Sequence, residues 1–254
     1  MFRPRIIPVL LVKGNGLVKT VKYSKPIYLG DPMNAVYIFN SFKVDEIVIL
    51  DITASMENRT ISTQFVKQIG DEAYMPFGVG GGISSVQEAI DLINAGAEKV
   101  ILNTLFIKKP DEVYQIAKKL GNQSVVVSID VKRNIFGKYY ICYNSGSKKV
   151  KLDPIMAAKR AEDNGAGEIL LNYIPFDGVM QGYNLDLIKI VSQNVNIPVI
   201  ASCGAGSLNH MYQAYKAGAS ALAAGSFFVF YGAKRGILIN YPSKIEINKL
   251  FNGL

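Results

Sequence analysis

Met75-Pro-Phe-Gly-Val-Gly-Gly-Gly82, with Ala95-Gly-Ala97 and Asn103-Thr104 after it, returns later in the chain as Ile197-Pro-Val-Ile-Ala-Ser-Cys-Gly204, Ala217-Gly-Ala219 and Gly225-Ser226. Pro76 and Pro198, Gly82 and Gly204, Gly96 and Gly218, Thr104 and Ser226, and Glu46 and Glu168 each stand 122 residues apart. An ungapped match over about thirty positions points to duplicated halves, residues 1–122 and 123–254. Leu11-Val12-Lys13 and Asp130-Val131-Lys132 are also alike, at an offset of 119.

Around these copies, short apolar runs alternate with helical patterns along the whole chain. Candidate strands cover 6–12, 46–51, 76–79, 99–103, 125–130, 168–172, 198–202 and 221–224. Several are β-branched with little alternation, as expected of parallel strands buried on both faces. The clearest helical patterns are 31–42, 84–95, 111–120 and 153–164. Eight such units in 254 residues predict a single α/β domain, a closed (β/α)8 TIM barrel.

Composition agrees. Hydrophobic residues make up 49% and charged residues 19%, a globular balance. No apolar run reaches the roughly 20 residues that span a bilayer. The opening Met1 to Arg5 and the run 6–12 do not make a signal peptide, since Pro8 and Lys13 interrupt the run and no small-residue cleavage site follows. A buried first strand and a cytosolic protein are expected. Cys142 and Cys203 give no metal spacing and no disulfide framework. The net charge of +8 reads as a solvated Lys-rich surface, because the basic residues are dispersed along the chain. A phosphorylated substrate or an acidic partner would also draw on it; neither nucleic acid nor a membrane is expected as partner.

In a barrel the reactive face lies at the C-terminal strand ends. There stand Gly81 and Gly82 (strand three), Asn103 and Thr104 (strand four), Gly204 (strand seven), and Gly225 and Ser226 (strand eight). Glycine lets backbone N–H groups approach an anion, and a following helix N-terminus adds a favourable field. Each half thus offers one phosphate cradle, although the same glycines also suit tight βα turns. Lys19, Asp51, Asp130 and Asp177 beside Gly178 supply ionisable groups at that face. Capping and acid–base work weigh equally for Asp51, and a turn role competes for Asp177. Asp130 follows the apolar run 125–129, next to a low-dielectric core, and is the first choice for a functional acid. His210, the one histidine, is expected at the surface. No metal or organic cofactor is implied.

The ordered set Arg5-Ile-Ile-Pro8, Gly30-Asp-Pro32, Asp45-Glu46, Leu50-Asp-Ile-Thr-Ala-Ser55, Val79-Gly-Gly-Gly-Ile83, Ala95-Gly-Ala97 with Lys99, and Ile129-Asp-Val-Lys-Arg133 carries a resemblance. It continues through Gly165-Ala-Gly-Glu-Ile-Leu-Leu171, Asp177-Gly178, Gly182-Tyr183 and 197–202. The chain resembles, end to end, the cyclase subunit of imidazole glycerol phosphate synthase, the HisF family. The resemblance implies a glutaminase subunit on the N-terminal barrel face, with ammonia crossing the barrel to a bisphosphorylated ribulosyl aminoimidazole carboxamide nucleotide. It makes Arg5, Glu46, Lys99 and Glu168 the ring of charges at the channel entrance.

The family's acid–base pair is two aspartates, ending strands one and five. Asp130 matches the second, and Leu11 occupies the place of the first. Cys203 stands where the family usually has Gly, and Asn172 where it has a small hydroxyl residue. Losing an acid–base group costs about 10² to 10⁴ in rate. Three functions follow as expectations. The first is a diverged, ammonia-conducting synthase subunit serving amidination in surface-polysaccharide biosynthesis. The second is an active cyclase of histidine biosynthesis, and the third a non-catalytic activator of the glutaminase. Order in the loop 14–25 is not given by sequence.

Overall fold

The computed structural model describes residues 3–251, so Met1, Phe2 and the last three residues of the second half lie outside it. Eight parallel strands close into a barrel: β1 (Arg5–Lys13), β2 (Ile47–Asp51), β3 (Phe77–Gly80), β4 (Lys99–Leu102), β5 (Val125–Arg133), β6 (Glu168–Tyr173), β7 (Val199–Ser202) and β8 (Ala221–Ala224). Each pairs with the next, and β8 returns to β1 through Arg5↔Ala221 and Ile6↔Leu222. Ile7, Val9, Val48, Ile101, Val126, Leu170 and Ile200 fill the interior. Alternate residues such as Ile6, Ile49 and Val127 face the helices and join the outer core with Phe39, Leu92 and Phe228. Side chains of period two thus serve two cores at once.

The helices are α1 (Pro32–Phe42), α2 (Thr63–Glu72), α3 (Val86–Asn94), α4 (Pro110–Leu120), α5 (Pro154–Asp163), α6 (Leu185–Ser192), α7 (Leu208–Lys216) and α8 (Lys244–Phe251). Their N-caps repeat the 122-residue offset. Asp31 and Asp153 accept from Met33 and Ile155 amides, Ser62 and Asn184 from Phe65 and Leu187, and Ser85 and Ser207 from Glu88 and His210. Each cap satisfies an otherwise orphaned N–H at a helix start. Short helices Thr104–Lys108 and Ser226–Val229 follow β4 and β8 at the same offset.

Two features differ from the sequence reading. The segment read as a loop at 14–25 is a hairpin: Gly16–Val21 pairs antiparallel with β1 through Leu11↔Val18, and Ser24–Gly30 pairs with it in turn. β5 likewise overruns its expected end at 130 and continues into Tyr139–Tyr143 and Lys148–Val150. Only β1 and β5 are nine residues long, because their ends find a second partner in these ribbons. Loops 13–30, 131–152 and 230–238, which carry twelve of the 28 basic residues, all follow the C-terminal ends of β1, β5 and β8. No helix among the described residues is long and apolar enough to cross a membrane.

Candidate functional site

The C-terminal end of the barrel opens into a cavity of roughly 680 Å³. Its wall brings together Leu11, Lys19, Asp51, Gly81, Gly82, Asn103, Thr104, Asp130, Asp177, Gly178, Gly204, Gly225 and Ser226. The four charges Arg5, Glu46, Lys99 and Glu168 lie at the opposite end, on the first residues of their strands or just before them.

Asp130 sits inside this cavity. Asn172 Nδ2 donates to its Oδ1 at 2.9 Å, Ser128 Oγ at 3.2 Å and Tyr23 OH at 3.4 Å. Burial pushes the carboxyl up to about 6, against the downward pull of those three hydrogen bonds and of Lys132. A carboxyl tuned this way exchanges a proton near neutral pH. Leu11 lines the same cavity and is 8% exposed, offering an apolar wall and no proton. Tyr23 was not legible in the sequence: it comes from the turn of the first hairpin, with φ at +59°. Ser128 had a signal, the period-two spacing that puts it on the inward face with Asp130.

The other two aspartates of the cavity are each paired with a basic side chain. Asp177 takes Lys19 Nζ at 2.7 Å, Thr20 Oγ1 at 2.8 Å and the Tyr23 amide at 3.3 Å, fastening the hairpin over the mouth. Asp51 accepts from the Thr53 and Ala54 amides and pairs with Arg59 Nη1 at 2.6 Å, so it organises its own loop. His210 is half-buried, not at the open surface, and its Nδ1 accepts from the Gly206 amide because the preceding loop folds back on α7. Among the described residues no group of His, Cys, Asp and Glu could hold a metal ion.

The two glycine turns are constrained by packing. A Cβ on Gly82 would lie 1.8 Å from the Arg59 carbonyl oxygen, and one on Gly204 2.1 Å from that of Gly182. Cys203 adopts φ +71°, a region that favours glycine. The two cradles are also unlike each other. Thr104 Oγ1 accepts from the Asn144 amide and Asn103 Nδ2 donates to the Ser128 carbonyl. Ser226 Oγ is buried with no partner.

At the far end Arg5 bridges Glu46 and Glu168, and Lys99 Nζ bridges the same two carboxylates at 3.0 Å each. The ring alternates in sign and every member is paired. Burial alone would lower the Arg5 pKa, and Glu46 and Glu168 more than offset it, leaving it raised. Just inside lies a small cavity lined by Val48, Gly78, Ile101, Val126, Leu170 and Ile200 together with Glu46 and Lys99 of the ring.

Comparison with known proteins gives a single direction. The profile of a family described as "Histidine biosynthesis protein" matches residues 5–234. The chain is 42% identical to a Pseudomonas aeruginosa protein provisionally named imidazole glycerol phosphate synthase subunit hisF2, over 98% of this chain and 99% of that one. It is 43% identical to the imidazole glycerol phosphate synthase subunit HisF of Thermococcus onnurineus, over 90% of each. With that subunit from Petrotoga mobilis it shares 38% identity over 98% of each chain.

Proposed function

The chain belongs to the histidine biosynthesis protein family, among the HisF subunits of imidazole glycerol phosphate synthase, and from that membership we propose that it is an ammonia-conducting subunit diverged from the cyclase. Ammonia released by a glutaminase docked on the N-terminal face enters at the ring of Arg5, Glu46, Lys99 and Glu168. It passes the apolar interior and meets a phosphorylated acceptor at the C-terminal mouth. The destination is amidination of a sugar in surface-polysaccharide biosynthesis.

The observation that carries this reading is Leu11, an apolar wall where a proton-transfer pair needs its second carboxylate. The paired ring supports the entrance, since four charges that satisfy one another need no outside ion. Ser226, buried with an unused hydroxyl beside Gly225 and Gly204, supports a phosphate cradle in the second half. In the first half Gly81, Gly82, Asn103 and Thr104 form its counterpart, already tied to the second hairpin. The shared N-cap offsets support duplicated halves, 1–122 and 123–254.

The deciding experiment is turnover of the bisphosphorylated ribulosyl aminoimidazole carboxamide nucleotide with ammonium. A rate reduced about 10²-fold or more relative to HisF subunits is expected from the loss of one acid–base group. A rate equal to theirs overturns the divergence and leaves an active cyclase, which the tuned Asp130 carboxyl favours. Glutaminase stimulation untouched by Asp130→Asn, with no acceptor chemistry at all, would instead mark a non-catalytic activator.

A further inference from the structure

The loops 13–30, 131–152 and 230–238 contain twelve of the 28 basic residues and none of the 20 acidic ones. The rest of the chain keeps sixteen basic against 20 acidic residues, a net −4. All of the positive excess therefore sits on three loops at one end of the barrel. They are physically joined: Lys13, Lys19, Lys22, Lys25 and Lys132 line the same mouth, and Arg235 donates to the Gly178 and Val179 carbonyls beside it. Of the acids nearby, Asp177 is paired with Lys19 and Asp51 and Glu57 with Arg59, while Asp31 and Asp153 cap helices and Asp130 lies inside the cavity.

The same loops display apolar side chains. Ile135 is 94% exposed and Phe136 82%, between Arg133 and Lys138. Tyr28 is 67% exposed and Tyr231 68%. The tip is braced: Asn134 Oδ1 accepts from the Phe136 and Lys138 amides, so the turn holds Ile135 and Phe136 outward. Ordered apolar tips flanked by cations match an anionic bilayer surface, where rings and aliphatic chains enter the headgroup boundary and ammonium groups meet phosphate. Ten of the twelve cations are Lys, a residue depleted from protein–protein interfaces, so an acidic protein is the poorer match.

We propose that this face docks peripherally on an anionic lipid surface, through the Ile135–Phe136 tip and the surrounding lysines. The inference does not depend on which acceptor the cavity serves.

The test is sedimentation of the full chain with vesicles of equal parts phosphatidylglycerol and phosphatidylcholine, against phosphatidylcholine alone. Binding to the anionic vesicles only, weakened by salt, is expected. Ile135→Ser with Phe136→Ser, and separately Lys148→Glu with Lys149→Glu, should each weaken it about tenfold or more; all four positions are exposed, so circular dichroism should remain unchanged. No binding at low salt overturns the proposal. So does binding that ignores the loss of Ile135 and Phe136, which would reduce the face to a plain polycation. Retention by polyglutamate or an oligonucleotide, without vesicle binding, would overturn it in favour of an acidic protein or a nucleic acid.

Discussion

Leu11 and Asp130 hold matching places on the two long strands: Leu11 pairs with Leu50 on the next strand and Val18 on its hairpin, Asp130 with Asn172 and Cys142. Asp130 is hydrogen-bonded by Asn172, Ser128 and Tyr23, whereas the strand partners of Leu11 are apolar. The difference between the two positions is therefore a difference of whole surroundings, which bears on what one substitution can restore.

Leu11→Asp places a carboxyl in that apolar wall without the hydrogen bonds Asp130 enjoys. A destabilisation of about 2 kcal/mol is expected, read by urea unfolding. If cyclase chemistry is limited only by the missing acid, turnover rises about 10²-fold.

Asp130 itself costs stability at neutral pH. Its folded pKa, about 6, lies above the unfolded value, so the native state holds the proton more tightly. The stability this group contributes is fully present below the unfolded pKa and is lost as pH rises through about 6. Asp130→Asn should therefore be more stable than wild type at pH 7, by about 1–3 kcal/mol. The gap should close near pH 4 in paired unfolding curves.

Asp177→Ala removes the acceptor shared by Lys19, Thr20 and Tyr23. Lys19 is left buried and unpaired, a loss of about 3 kcal/mol locally. Amide exchange in the hairpin Gly16–Val21 should accelerate about 10²-fold, while exchange in β6 and β7 stays slow.

Gly82→Ala cannot be accommodated without moving the Arg59 carbonyl, and its φ of +66° adds strain. A loss of about 3 kcal/mol or more is expected. Thermal unfolding of Gly82→Ala beside Gly137→Ala separates the two causes, since Gly137 has positive φ but nothing within 4 Å.

Glu46→Gln leaves Arg5 and Lys99 sharing Glu168 alone. Arg5 is partly open to solvent, so the cost should be about 2 kcal/mol and not the larger value of a fully buried pair. Denaturant titration measures it. Glutamine-driven turnover should fall more than ammonium-driven turnover if the ring is the entrance.

The barrel was legible because its strands carry local signals: β-branched runs, caps and glycine turns at fixed offsets. The strand-end positions singled out from the sequence, Leu11 among them, line one cavity. The hairpins were not legible, since Gly14 to Lys25 reads as a loop until β1 is long enough to pair with it. Tyr23 depends on that pairing and on Gly146, which leaves room for its ring. The cationic rim of the mouth was not legible for a related reason: residues more than a hundred positions apart become neighbours only when the strand ends meet at one face.

That crowding of cations at one pole has a kinetic side. A molecule whose charge is separated between one pole and the rest of its body feels a torque in the field of any large anion, and turns before it touches. Arrival, not only adhesion, then becomes selective: encounters would begin mouth-first, at rates that fall as salt shortens the reach of the field. A cation-exchange resin should grip the protein by that pole and leave the opposite end, with its four-charge ring, facing the buffer.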